Sequence, residues 1–251
     1  MKSKMTRFHC FSLMFLFSIS AVSKAFTLNS STSSNFKGWT NPSVKFQINL
    51  SNCPAGVDVM GIIGDALAVW NNVATSKLTV ELVGETTSTT YSDPITIVCD
   101  TNYGSGGLSA DSSPGAAVIQ PSSGDTITSG IMYLNASSGL ANIGNLNRDL
   151  VAVVLAHEIG HLLGLGHSQD LKALMYYDAS LKTTLGLAQD DVDGVTYLYP
   201  RDELSGDKPL GCAMVQDSKP KSGLGIFMGW IALLLPLVTC LVLRKKYFKT
   251  A

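Results

Sequence analysis

The stretch His157-Glu158-Ile159-Gly160-His161-Leu162-Leu163-Gly164-Leu165-Gly166-His167 constrains this chain more than any other part of it. In a helix, His157 and His161 stand one turn apart on the same face, close enough for two imidazole nitrogens to meet on one ion. Gly164 would end that helix, because glycine tolerates the positive φ that turns a chain back, and His167 would then arrive from another direction. Three imidazoles with the fourth position left open form a ligand set for zinc. The chain has only four histidines, and the one outside the motif, His9, lies in an N-terminal apolar run.

A bare His-Glu-x-x-His pair also occurs by chance on ordinary polar helix faces. Here Gly164, His167, Ser168 and Met175 extend the match, which makes coincidence hard to sustain. With Ala173-Leu174-Met175-Tyr176 as a methionine turn and the run from Ala188 to Leu198 reading AQDDVDGVTYL, the chain resembles the metzincin metalloproteases and, within them, the matrixin branch. The resemblance implies an α+β, zincin-like domain. It would have a twisted, mainly parallel sheet with an antiparallel edge strand, a long active-site helix and a C-terminal helix. It also implies one catalytic zinc on His157, His161 and His167, Met175 beneath the site, Glu158 as catalytic base, and a protein or peptide substrate.

Three neutral imidazoles leave a zinc ion its charge, so a water in the open position would ionise near neutral pH instead of at about 15.7. Glu158 would take that proton and later deliver one to the leaving amine. Tyr177 stands where matrixins usually carry proline and astacins and serralysins carry tyrosine. Two roles are open for it: a phenol that stabilises the oxyanion, or a plain pocket wall. Asp190 and Asp191 match a matrixin pair that ties the C-terminal helix to the methionine turn and to the mature N-terminus; they also suit the first turn of a helix, and a structural role is expected.

The remaining elements follow from periodicity. Val44 to Leu50 alternates as a half-buried strand. Val59, Ile62, Ile63, Ala66, Val69, Trp70 and Val73 recur at helical spacing, and Leu78 to Val83 and Ile95 to Val98 read as further strands. The stretch from Thr86 to Gly130, outside these strands, is rich in Ser, Thr, Gly and Pro; it should be mostly loop, with a short strand at Ala116 to Ile119. Gly130 to Asn135 resembles the edge strand that rims the cleft in matrixins, on which an extended substrate could pair. Asn147 is a good cap for the active-site helix, which should run from Arg148 to Leu163 with Leu150, Val154, Ile159 and Leu162 supporting it. The loop region has no histidine for a second, structural zinc, whereas Asp100, Asp111 and Asp125 beside glycines keep calcium as a candidate ion.

The ends read as targeting signals. Lys2, Lys4 and Arg7 precede an apolar run to Val22 and a small-residue site, so 1–25 is expected to be a signal peptide. Residues 26–200 would be the catalytic domain and 201–222, rich in polar residues, a juxtamembrane linker. Residues 223–243 carry no charge and are followed by a basic tail, 244–251, which predicts a single-pass transmembrane helix with the domain outside the cytoplasm, at the cell surface or in the periplasm. Cys53 and Cys99, each just after a predicted strand in an oxidising compartment, are the candidate disulfide. No latency cysteine motif precedes Val44, so a matrixin-type prodomain is not expected.

Net charge is −1 and the basic residues outside the tail are scattered, which argues against nucleic-acid binding; a monomer is expected. An alternative of another class is a surface-anchored adhesion or binding module with a structural zinc site. Such a site needs no base, which weighs against it here. An enzyme confined to chain ends would need a charged group to grip a terminus, and none stands out.

Overall fold

The computed structural model describes residues 26–29, 36–121 and 125–202. The expected signal peptide, the transmembrane segment 223–243, the basic tail and all but two residues of the linker lie outside these residues. Among the described residues, no helix is long and apolar enough to cross a membrane. Arg201, placed in the linker by its sequence, still hydrogen-bonds the Thr75 carbonyl through its N–H (3.1 Å) and the Ser76 carbonyl through Nε (3.2 Å).

The described chain begins its regular structure with β1 (Gly38–Trp39) and β2 (Ser43–Asn49). In β2 the alternation buries Val44, Phe46 and Ile48 and leaves Lys45 at the surface. Helix α1 (Val59–Asn71) is capped by Asp58, which accepts from Gly61 N at 3.0 Å, and buries Val59, Ile62, Ile63, Ala66, Leu67 and Trp70. Strands β3 (Thr79–Glu85) and β4 (Ile95–Asp100) follow. β4 is buried on both faces from Ile95 to Cys99, apolar there except for Thr96, as suits a central parallel strand. Then come β5 (Gly115–Pro121), β6 (Thr126–Asn135), α2 (Arg148–Leu162) and α3 (Gln189–Leu198).

One sheet holds all six strands, in the order β1-β6-β4-β2-β3 with β5 added to β6. Every pairing is parallel except β5 with β6. The α+β architecture with a mainly parallel sheet and an antiparallel edge strand is therefore as expected, but the edge is a different strand. Gly130–Asn135 lies inside the sheet, between β4 and β5, and β5 is the free edge. Local alternation identifies a strand and is silent about its neighbours, so the pattern of Gly130–Asn135 does not tell a rim strand from an interior one. Thr126, Thr128 and Ser129 give the first half of β6 a loop-like polarity, yet it is strand, with Ile127 buried and paired with Trp39 of β1.

Helices α1 and α2 pack against each other, and Trp70 Nε1 donates to the Ala156 carbonyl at 3.0 Å. Cys53 and Cys99 form a disulfide that joins the turn after β2 to β4. Closing a loop with this sequence separation of 46 removes on the order of 4 kcal/mol of chain entropy from the unfolded state.

Candidate metal centre and substrate cleft

Helix α2 starts where Asn147 Oδ1 accepts from Leu150 N at 2.8 Å, as the cap predicts. It ends at Gly164, φ +105°, where Leu165 N reaches back to Gly160 O and Gly164 N to His161 O, both at 3.0 Å. The other terminal carbonyls find side-chain donors: Trp39 Nε1 binds Leu162 O at 2.7 Å and Tyr199 OH binds Leu163 O at 2.6 Å. The turn then carries His167 back toward the helix.

The three histidines converge. His157 Nε2 and His161 Nε2 are 3.1 Å apart, and His161 Nε2 and His167 Nε2 are 3.2 Å apart. His157 Nδ1 faces the Leu174 carbonyl and His161 Nδ1 the Leu165 carbonyl, each at 2.8 Å, so these two Nδ1 atoms carry the protons. Their Nε2 lone pairs then point at one another, which is repulsive unless a cation lies between them. Nitrogens on a tetrahedral zinc at about 2.05 Å would be roughly 3.3 Å apart, so the observed spacing fits. Burial also lowers the pKa of all three rings, to about 4 for His157 and about 3 for His161, and keeps the imidazoles in the neutral, ligating form. Among the described residues this is the one group of three or more side chains that could hold a metal ion. The Asp100 and Asp111 carboxylates are engaged locally, by Asn102 N at 2.8 Å and Leu140 N at 2.9 Å.

Beneath the histidines lies the turn Ala173–Tyr176, with Met175 buried. A Cβ on Gly160 would overlap Met175 Sδ and come within 2.9 Å of Trp70 Cζ2, so the residue before His161 must lack a side chain. Asp191 holds this turn through Leu174 N (2.7 Å) and Met175 N (2.9 Å) while also accepting from Ala188 N. Asp190 accepts from Ser168 Oγ at 2.5 Å. Both aspartates are thus tied into the scaffold.

This scaffold carries its own label. The Matrixin family model (Peptidase_M10) matches residues 38–200. The chain belongs to the matrixins. Among its relatives, Metalloendoproteinase 1 of Glycine max is 60% identical over 47 residues, 18% of this chain and 15% of that protein. Metalloendoproteinase 5-MMP of Arabidopsis thaliana is 32% identical over 129 residues, 45% of this chain and 34% of that one. An interstitial collagenase of Oryctolagus cuniculus is 52% identical over 46 residues, 18% and 10% respectively. The matched part of this matrixin spans between 10% and 34% of the length of these relatives.

In this matrixin the histidines and Glu158 line an open cleft of about 810 Å³, with β5 on one side and Tyr177 to Ser180 on the other. Leu150 and Val154 face the cleft as well, so Leu150 lines the groove and is not part of the helix's support. Burial pushes the Glu158 carboxyl up to about 7, opposed by the Ala117 backbone N–H. Gly115 makes room for it: a Cβ there would sit 3.2 Å from Glu158 Cγ and 3.1 Å from Val154 Cγ1. Neither Gly115 nor Ala117 is picked out by sequence, because only the folding of β5 over α2 brings them to Glu158. Tyr177 is 65% exposed on the cleft wall, its ring 4.4 Å from that of Tyr176.

Proposed function

We propose that this chain is a zinc-dependent endopeptidase that hydrolyses internal peptide bonds of extracellular or periplasmic proteins. The observation that carries the reading is the convergence of three neutral imidazole Nε2 atoms beside a half-buried carboxylate on the floor of an open cleft. His157, His161 and His167 would hold the metal. A bound zinc supplies Lewis acidity, polarising a carbonyl and acidifying water. Glu158 is the proton carrier: its carboxylate, in the cleft beside the three histidines, would accept a proton from water and return it to the leaving amine.

The register of β5 supports binding of an extended substrate. Asn135 N donates to Pro114 O, so alternate residues of the antiparallel ladder, from Ala116 on, face β6, and Gly115, Ala117 and Ile119 turn their backbone groups outward. A peptide laid along this edge would pair with the Ala117 carbonyl and with Ile119, the Ala117 N–H being already given to Glu158, and pass over the histidines. The Gly115 carbonyl is already engaged by Ser113 Oγ at 2.9 Å. Tyr177 lines the same cleft and is read as a wall residue, with oxyanion stabilisation by its phenol as the second reading.

Export with a C-terminal membrane anchor is part of the same proposal and rests on the sequence pattern of 1–25 and 223–251. The binding-module alternative would call for a fourth protein ligand that closes the site; among the described residues the group stops at three. The test is exposure of a mixed peptide library to the full-length chain, with and without a zinc chelator. Internal cuts abolished by chelation support the reading; a folded, zinc-loaded chain that cuts nothing refutes it.

A further inference from the structure

The geometry points to the segment Thr27–Asn29 as a positioning element for the third metal ligand, an inference that rests on the zinc reading above. After Gly164 the chain leaves α2; beyond His167 it is held at Ser168, by the Met175 carbonyl and by Asp190 of α3, while before His167 the loop lies outside the main sheet. Leu28 and Leu165 instead form an isolated antiparallel bridge, with Asn29 N donating to Gly164 O and Gly166 N to Thr27 O, both at 2.8 Å. Two side chains add to it. Thr27 Oγ1 donates to the His167 carbonyl at 2.7 Å, and Asn29 Nδ2 to the His161 carbonyl at 3.2 Å. One short segment thereby grips the backbone of two of the three ligand residues.

His167 has the greatest need of this. The rings of His157 and His161 are fixed by a helix and by Nδ1 bonds to carbonyls, whereas among the described residues His167 Nδ1 has no such partner and its ring is exposed. Its aim must therefore come from its backbone, where Thr27 holds the His167 carbonyl and the Met175 carbonyl holds the N–H of the next residue, Ser168. Gly166 is fitted to the contact: a Cβ there would overlap Thr27 Oγ1 and lie 2.8 Å from the Leu28 carbonyl oxygen. The segment is itself anchored, since the Phe26 ring packs 5.5 Å from that of Tyr197 on α3.

The experiment measures zinc affinity of the full-length chain by chelator competition, together with the visible spectrum of the cobalt-substituted protein. Thr27→Val removes the hydroxyl at constant shape, Thr27→Ser restores it, and Asn29→Ala loosens the second contact independently. Thr27→Val and Asn29→Ala are expected to weaken zinc binding by about tenfold or more, the usual effect of losing a group that orients a ligand, and Thr27→Ser to stay within about twofold. The cobalt spectrum should shift in Thr27→Val while the denaturation midpoint of the metal-free protein stays at the wild-type value. Wild-type affinity and spectrum in both weakened variants would overturn the inference. A wild-type chain that takes up no zinc would instead overturn the zinc reading on which it stands.

Discussion

Asp191 and His157 grip opposite ends of the same residue: Asp191 Oδ2 accepts from Leu174 N at 2.7 Å, and the Leu174 carbonyl accepts from His157 Nδ1 at 2.8 Å. The C-terminal helix thus sets the tautomer and tilt of the first histidine without touching it. In Asp191→Asn an amide nitrogen would face at least one of the three N–H groups now bound. A buried donor left unsatisfied costs about 1–3 kcal/mol. We expect a denaturant midpoint lowered accordingly and, through His157, zinc affinity reduced about tenfold in chelator competition.

Gly160→Ala tests the packing of the methionine turn. Its new methyl would meet Met175 Sδ and Trp70 Cζ2, both in the core, where overpacking costs about 1–3 kcal/mol. Urea denaturation of the metal-free chain should show that loss. Wild-type stability would mean that the turn yields and does not brace the helix.

Two buried phenols give the domain an alkaline limit. Burial raises the pKa of Tyr103 to about 12 and that of Tyr199 still further. A group whose folded pKa is raised contributes stability that is complete below its unfolded value, about 10, and is lost as pH climbs through the folded one. Absorbance titration should show these two tyrosines ionising late, together with alkaline unfolding. Tyr199→Phe should remove one of them and, because Trp39 N loses its acceptor, lower stability by about 1–3 kcal/mol at neutral pH.

Tyr177→Phe separates chemistry from pocket lining. The ring is largely exposed on the cleft wall, so we expect the variant to retain kcat. A fall of about 100-fold, typical of removing an oxyanion donor, would assign the phenol to the reaction.

What was legible in the sequence is what local pattern encodes. The ligand helix, its Asn147 cap, the reversal at Gly164 and the alternation of Val44, Phe46 and Ile48 all lie within a few residues of one another, and each appears in the structure as read. Neighbour relations were not legible. Nothing in Gly130–Asn135 says that the strand expected at Ala116–Ile119 covers its outer side. The contacts of Thr27 with His167 and of Trp39 with Leu162 cross 140 and 123 residues. At such separations the sole trace in sequence is a small residue on the receiving side, such as Gly166, Gly160 or Gly115, whose meaning emerges only when its neighbour is known.

In the proposed reaction Glu158 moves protons for a metal that it does not bind. The direct test pairs two measurements on wild type and Glu158→Gln: zinc bound per chain, and the rate of internal peptide cleavage. One zinc is expected in both proteins, with a rate in the variant lower by at least about 100-fold, the scale of general acid–base catalysis. A variant that binds zinc and cleaves at the wild-type rate, or one that loses its zinc, would contradict it.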